Sequence, residues 1–178
     1  MEAKEAIRRQ FMKECAKKDF SAITVKGLCA DTPVARSTFY AYFDNTDEVM
    51  KSIENELIEK LKNVCSHVPD HEFPDLDFSE FMDEVESVIK NSWSYIYAFL
   101  VIQPNQRFVK RWKEAIKVNF RRRYPDKTDS KTFEPVAEIL ASSMISVYTY
   151  WMEHPDDIST NDIKPLIHKV LNSLVSSL

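Results

Sequence analysis

Apolar residues recur every three or four positions along most of the chain, the spacing that turns one face of an α-helix inward. From about Lys4 to Lys18 the inward stripe is Ala6, Ile7, Phe11, Met12 and Cys15. Lys4, Arg8, Arg9, Lys13, Lys17 and Lys18 fall largely outside it. A second long stripe, Val49, Met50, Ile53, Leu57, Leu61 and Val64, predicts a helix from Thr46 or Asp47 to about Val64. The segment from His67 to Asp75 is polar, holds Pro69 and Pro74, and reads as a loop. His67 and His71 are four apart there, but two prolines prevent a shared helical face, so no metal site is expected. Asp77 and Glu80 can box the start of a helix that runs to about Ile102 through Phe81, Val85, Val88, Ile89, Ser92, Ile96 and Phe99. Pro104 and Asn105 break it. The next helix reaches about Tyr124, with Phe108, Val109, Trp112, Ala115, Ile116, Asn119 and Phe120 inward.

After a polar connector a helix is predicted from near Thr132 to about Glu153, with Pro135 tolerated in its first turn. It carries two stripes: Phe133, Val136, Ala137, Leu140, Met144, Val147, Tyr148 and Trp151, then Ile139, Ser142, Ile145, Thr149 and Met152. A helix apolar on two sides is sandwiched between a core and something else. The last helix, from about Asp162, repeats Ile163, Leu166, Ile167, Val170, Leu171, Leu174, Val175 and Leu178, which implies a docked C-terminus. Packed on their mates, these two helices would make an isologous two-fold seam.

The short elements between Ile23 and Val49 carry most of the information. Thr24 can cap a helix whose apolar positions are Val25, Leu28 and Cys29. Asp31, Thr32 and Pro33 interrupt it. A second short helix, Ala35 to Tyr42, sets Arg36, Ser37, Thr38, Tyr40 and Tyr42 around a buried seam of Val34, Phe39 and Phe43. Two short helices joined by a tight turn, the second rich in hydrogen-bonding side chains, form the helix-turn-helix pattern. Asn45 and Glu48 then cap the long helix.

Composition narrows the class. The 178 residues include a single glycine, Gly27, against the positive-φ turns an all-β fold needs, so the expectation is all-α with about eight to nine helices. Cys15, Cys29 and Cys65 are odd in number and form no C-x-x-C pair, which suits reduced, buried thiols in a cytoplasmic protein. No run reaches the roughly 18 apolar residues of a membrane span, and Met1 leads into charged residues instead of a signal peptide. The net charge of −4 conceals an asymmetry: residues 1 to 43 hold 8 basic and 5 acidic side chains, the remainder 16 and 23. That is compatible with a small basic reading head on an acidic body. With no phosphate-cradling glycine loop, H-E-x-x-H or G-x-S-x-G turn, an enzyme is not expected, nor is a cofactor.

The order T-V…L-C…V-A-R-S-T-F-Y-A-Y-F…D-E-V resembles the DNA-binding domain of the tetracycline-repressor (TetR) family of bacterial regulators. The resemblance covers roughly the first 60 residues, and S-T-F-Y-x-Y-F is its most specific part. It implies a three-helix helix-turn-helix domain over residues 1–45 and a helical effector-binding and dimerisation domain over 46–178. It further implies a homodimer through the last two helices, bound to palindromic double-stranded DNA and released by a small-molecule effector. Arg36 would read guanine O6 and N7, with Ala35, Ser37 and Thr38 beside it on the recognition helix. Tyr40 and Tyr42 would reach the DNA backbone, and Thr24 and Lys26 a phosphate at a helix start. Met82, Trp93, Tyr97, Phe108, Trp112, Asn119, Tyr148 and Trp151 would line an effector cavity, or be plain core. Pro33 and Ser37 replace common family glycines, and Thr46 stands where a lysine is usual. Only Met1, Glu2 and Ala3 precede the first helix, so no minor-groove arm is expected. The rival reading is an adaptor of this fold acting through a protein partner without specific DNA binding. The basic face of the sixth helix (Arg107, Lys110, Arg111, Lys113, Lys117 and Arg121 to Arg123) is either solvated or turned to an acidic partner or anionic effector.

Overall fold

A computed structural model describes residues 2–67 and 79–176. These residues form nine α-helices and no strand: α1 (Glu2–Cys15), α2 (Val25–Ala30), α3 (Arg36–Tyr40), α4 (Thr46–His67), α5 (Ser79–Asn91), α6 (Trp93–Tyr97), α7 (Gln106–Arg123), α8 (Phe133–Glu153) and α9 (Thr160–Val175). The expected loop with Pro69, His71 and Pro74, and the Asp77 half of a capping box, lie outside the described residues, as do the side chains of Cys65 and Val175. No described helix is long and apolar enough to cross a membrane.

The chain packs as two compact units. One comprises Met1–Leu57 with Ser92–Asn105, the other Ile58–Asn91 with Gln106–Leu178. The division falls inside α4 and gives a later segment to the first unit.

In the first unit α1, α2 and α3 pack on one another around Ile7, Phe11, Cys15, Leu28, Val34, Phe39 and Phe43, all buried. Phe20, in a short 3₁₀ turn, stacks on Phe11 at 6.2 Å and meets the edge of Phe99 at 5.9 Å. Arg8, placed outside by the helical spacing, is instead buried. Its guanidinium sits 2.6 Å from Glu56 and over the Tyr95 ring, while the Tyr95 hydroxyl donates to Glu5 at 3.1 Å. A buried charge must be paired, and Glu5 of the same helix, 3.6 Å away, adds to the partners that α4 and α6 bring.

The single helix expected from Asp77 to Ile102 is broken. Ser92 leaves helical geometry (φ −124°, ψ 23°), and its carbonyl starts α6 by accepting from Tyr95 and Ile96 N–H at 3.1 Å. The apolar stripe runs through the break, so periodicity could not show it. One π-helical turn, Ala98–Ile102, ends the segment. Beyond it the Gln103 amide donates to the carbonyls of Cys15 and Lys18, both at 2.7 Å, and accepts from Phe20 N–H at 2.8 Å. That one side chain ties the end of α1 to the π turn.

In the second unit α7 packs on α8, and α9 on both α8 and α5. Phe108, Trp112, Phe120, Phe133, Leu140, Met144, Tyr148, Ile163, Ile167 and Leu171 fill the core. Ser159 opens α9: Asp162 accepts from its backbone N–H at 3.0 Å and from its hydroxyl. Of the second stripe of α8, Ile145 and Met152 are buried but Ile139 is half exposed.

Candidate nucleic-acid interface

The first unit sets two short helices against each other through a small apolar seam. Thr24 is extended (φ −117°, ψ 151°), and its hydroxyl accepts from Gly27 N–H at 3.1 Å. This leaves the hydroxyl proton of Thr24 free to donate outward. Lys26, on the first turn of α2, is exposed. At the other end the Thr32 hydroxyl donates to the Leu28 carbonyl at 2.9 Å, closing α2 before Pro33.

Val34 turns into the seam and Ala35 into the N-cap position of α3, whose carbonyl accepts from Phe39 N–H at 2.9 Å. Phe39 is fully buried, 5.5 Å from the Tyr40 ring and 5.9 Å from Phe43. Because Phe39 points inward, helical geometry sends Ser37 to the opposite side of α3 and Tyr40 to its flank, while Arg36, one turn before Phe39, is exposed at the start of the helix. Ala35, Arg36, Ser37, Tyr40 and Tyr42 are exposed, the tyrosines at 50% and 44%, and Thr38 is half-buried. Neither tyrosine hydroxyl is bonded within the described residues. The structure thus brings together all eight residues expected to face DNA, on α2, on α3 and just beyond. Beside them, Arg9 and Lys13 of α1 line a groove of about 670 Å³ with Asp31, Thr32 and Pro33.

One departure from the pattern of the resemblance, Thr46, has a local explanation. The Thr46 hydroxyl donates to the Ile23 carbonyl at 3.3 Å, so it braces the start of α4 against the segment that leads into α2. Asn45 supplies the cap itself, accepting from Glu48 N–H at 3.0 Å. Arg8 is committed to Glu56 and is no candidate contact.

The residues of the expected effector set are divided between the two units. Trp93 and Tyr97 stack on each other at 6.0 Å in the first unit, whereas the other six belong to the second. Met82, Phe108, Trp112, Tyr148 and Trp151 are buried as core. Burial pushes the Tyr148 hydroxyl well above its ordinary pKa, reinforced by the charges of Glu86 and Asp83, so it stays protonated. Asn119 alone of the set lines an open groove, of about 510 Å³, between α4 and α7. Its other lining residues, among them Lys62, Lys110, Val118 and Arg122, escaped a search for aromatic side chains. The runs of lysine and arginine on α4 and α7 were their only signal.

No known family profile matches the sequence, and no curated protein matches it. Solved structures do. A TetR-family transcriptional regulator from Syntrophomonas wolfei is 14% identical over 97% of this chain and 95% of its own, with a TM-score of 0.72. One from Streptomyces coelicolor is 11% identical over 98% of this chain and 79% of its own, at 0.71. SmeT, solved as a complex with triclosan, is 14% identical over 99% and 91%, at 0.66. At such identities the likeness is one of fold, and it extends over nearly the whole chain.

Proposed function

We propose that this chain, which has the fold of the TetR-family regulators, is itself a DNA-binding transcriptional regulator. It binds a palindromic operator as a homodimer and acts as a repressor that a small-molecule effector releases. The observation that carries this reading is the outward face of α3. There Arg36 leads a short helix held by Phe39, with Ser37, Thr38, Tyr40 and Tyr42 following, and the Arg36, Ser37, Tyr40 and Tyr42 side chains are exposed. In a major groove Arg36 bonds guanine O6 and N7, Ala35 and the short hydroxyls face base edges, and Tyr40, Tyr42, Thr24 and Lys26 hold phosphates. The half-site spacing follows from pairing two chains, about 34 Å between recognition helices.

For the pairing surface, the support is exposed apolar side chains on α8 and α9: Ile139, Tyr150, Leu166 and Val170 are 50%, 50%, 51% and 36% exposed. A groove of about 410 Å³ between those helices is lined by Ser142, Ser146, Val147, Leu166 and Val170. Two such faces apposed would bury what one chain leaves wet. A charge there, as in Leu166→Glu, shifts the sedimenting species from dimer to monomer. The triclosan bound to SmeT supports an effector in a protein of this fold.

Gel-shift against the DNA flanking its own gene, at two salt concentrations, tests the reading. Sequence-specific retention that weakens with salt is expected, and Arg36→Ala should relax base preference with the fold intact. Retention by Arg36→Ala as selective as the parent's refutes the assignment. The adaptor reading draws on Thr46, whose hydroxyl turns to a carbonyl of the protein instead of a phosphate, and on the net charge of −4. No retention of any DNA at low salt decides for it.

A further inference from the structure

The basic run on α7 is the one sequence feature the DNA reading does not use, and its side chains do not share one fate. On the edge facing α8 the charges are neutralised. Lys113 and Lys117 lie 2.9 and 3.0 Å from Glu138, and Arg121 meets both oxygens of Glu134 at 2.7 and 2.8 Å. On the opposite edge Lys110, Arg111 and Arg122 line the groove against α4, where Lys62 and Ser66 complete the rim. Lys110 meets no carboxylate among the described residues, and Arg122 donates only to the Ser66 carbonyl, at 3.3 Å. The one acidic residue of the lining, Glu114, is drawn to Lys117 at 2.5 Å and to Arg121 at 3.8 Å, so its charge is spent on the neutralised edge.

Between these cations the lining is apolar: Ile58, Ala115 and Val118, the last left 59% exposed. An exposed valine beside Lys110 and Arg122, neither of which meets a carboxylate among the described residues, is unfavourable for water on one count and for cationic ligands on the other. A ligand that places an anionic head on Lys110 and Arg122 and an apolar body on Val118 answers both. At about 510 Å³ the groove is of small-molecule size.

We propose that the α4–α7 groove binds an amphipathic organic anion, a carboxylate or phosphate monoester carrying an apolar chain, with Lys110 and Arg122 on the head group and Val118 under the chain. That such binding releases DNA rests on the regulator reading; the binding itself does not. The test is calorimetric titration of the full chain with dodecanoate and dodecyl phosphate below their micellar concentrations, with dodecanol and dodecyltrimethylammonium for comparison. Saturable binding of the two anions is expected, weakened by salt. Lys110→Gln with Arg122→Gln should weaken it roughly tenfold, and Lys113→Gln on the neutralised edge should leave it unchanged. Val118→Asp should abolish it with an unaltered melting curve. Binding of the alcohol as tight as of the anions, equal loss in Lys113→Gln and the groove variants, or no saturation by either anion overturns the proposal. The last outcome joined to capture of an acidic protein by the same lysine and arginine would transfer the groove to a protein partner. Operator binding is measured in parallel on the same preparation. Anion binding without operator binding sinks the regulator reading and leaves this one standing; operator binding without anion binding does the reverse.

Discussion

Gln103 offers a sharp test of how the first unit is held, because one amide serves three backbone groups. Gln103→Met keeps the volume and removes all three bonds. Gln103→Glu keeps the acceptor for Phe20 N–H but replaces the donor with a carboxylate pointed at two carbonyls, Cys15 and Lys18, that lay 2.7 Å from the amide nitrogen. The site is partly buried, so each lost bond costs about 1 kcal/mol, the lower part of the range for orphaned groups. Methionine should therefore cost about 2–3 kcal/mol, and glutamate at neutral pH at least as much. The effect is local, so hydrogen exchange across residues 16–23 is the assay. At 1.4 kcal/mol per tenfold, those amides should exchange roughly 30- to 140-fold faster in either variant. The variants part as pH falls. Two facing carbonyls raise the folded pKa of a glutamate at 103 above its unfolded value of about 4.3, so its penalty is present in full at neutral pH. Protonation sets in as pH falls through that raised value and restores one donor, so by about pH 4 the glutamate variant should have recovered about 1 kcal/mol while the methionine variant stays parallel to the parent. Equal behaviour of the two at every pH, or exchange within about twofold of the parent, would refute this account of the α1 anchor.

Three further outcomes follow from burial and charge. Phe39→Ala removes a fully buried ring and should destabilise the first unit by about 3–5 kcal/mol in urea unfolding, against less than about 1 kcal/mol for half-exposed Tyr40→Ala. Burial would raise the Glu86 carboxyl, but bonds from Lys164, Lys90 and Thr160 outweigh it and hold the pKa at about 2. A carboxyl lowered on folding stabilises above its unfolded pKa and loses that stabilisation as pH falls through the folded value. The deficit of Glu86→Gln, up to about 3 kcal/mol at pH 6, should therefore shrink between about pH 4.5 and pH 2. Burial, helped by the charge of Glu14, pushes the Cys15 thiol up to about 12. At pH 8 iodoacetamide should label Cys15 only after denaturant is added, as peptide mass mapping would show; labelling of the native chain would contradict that burial.

What the sequence alone determined is local. Thr24 as a cap, the interruption at Thr32–Pro33, the inward Phe39 and Phe43, the stop at Pro104 and the outward Arg36, Ser37, Tyr40 and Tyr42 all follow from side-chain chemistry within one or two helical turns. For that reason the nine described helices and the candidate reading face were legible beforehand, save for the break at Ser92. Tertiary structure alone decided which neighbour covers each face. Arg8 looks like any surface arginine until Glu56 and Tyr95 close over it, and Gln103 like a linker residue until three backbone groups converge on it. Trp93 and Tyr97 matched the other aromatics of the expected cavity in type yet pack in a different unit. The basic face of α7 is uniform by spacing but divided in space, because Glu134 and Glu138 of α8 reach one edge only. Helical periodicity tells a residue which way it points along its own axis. It carries no information about what stands opposite, and the energy of a charge or a ring is set by what stands opposite.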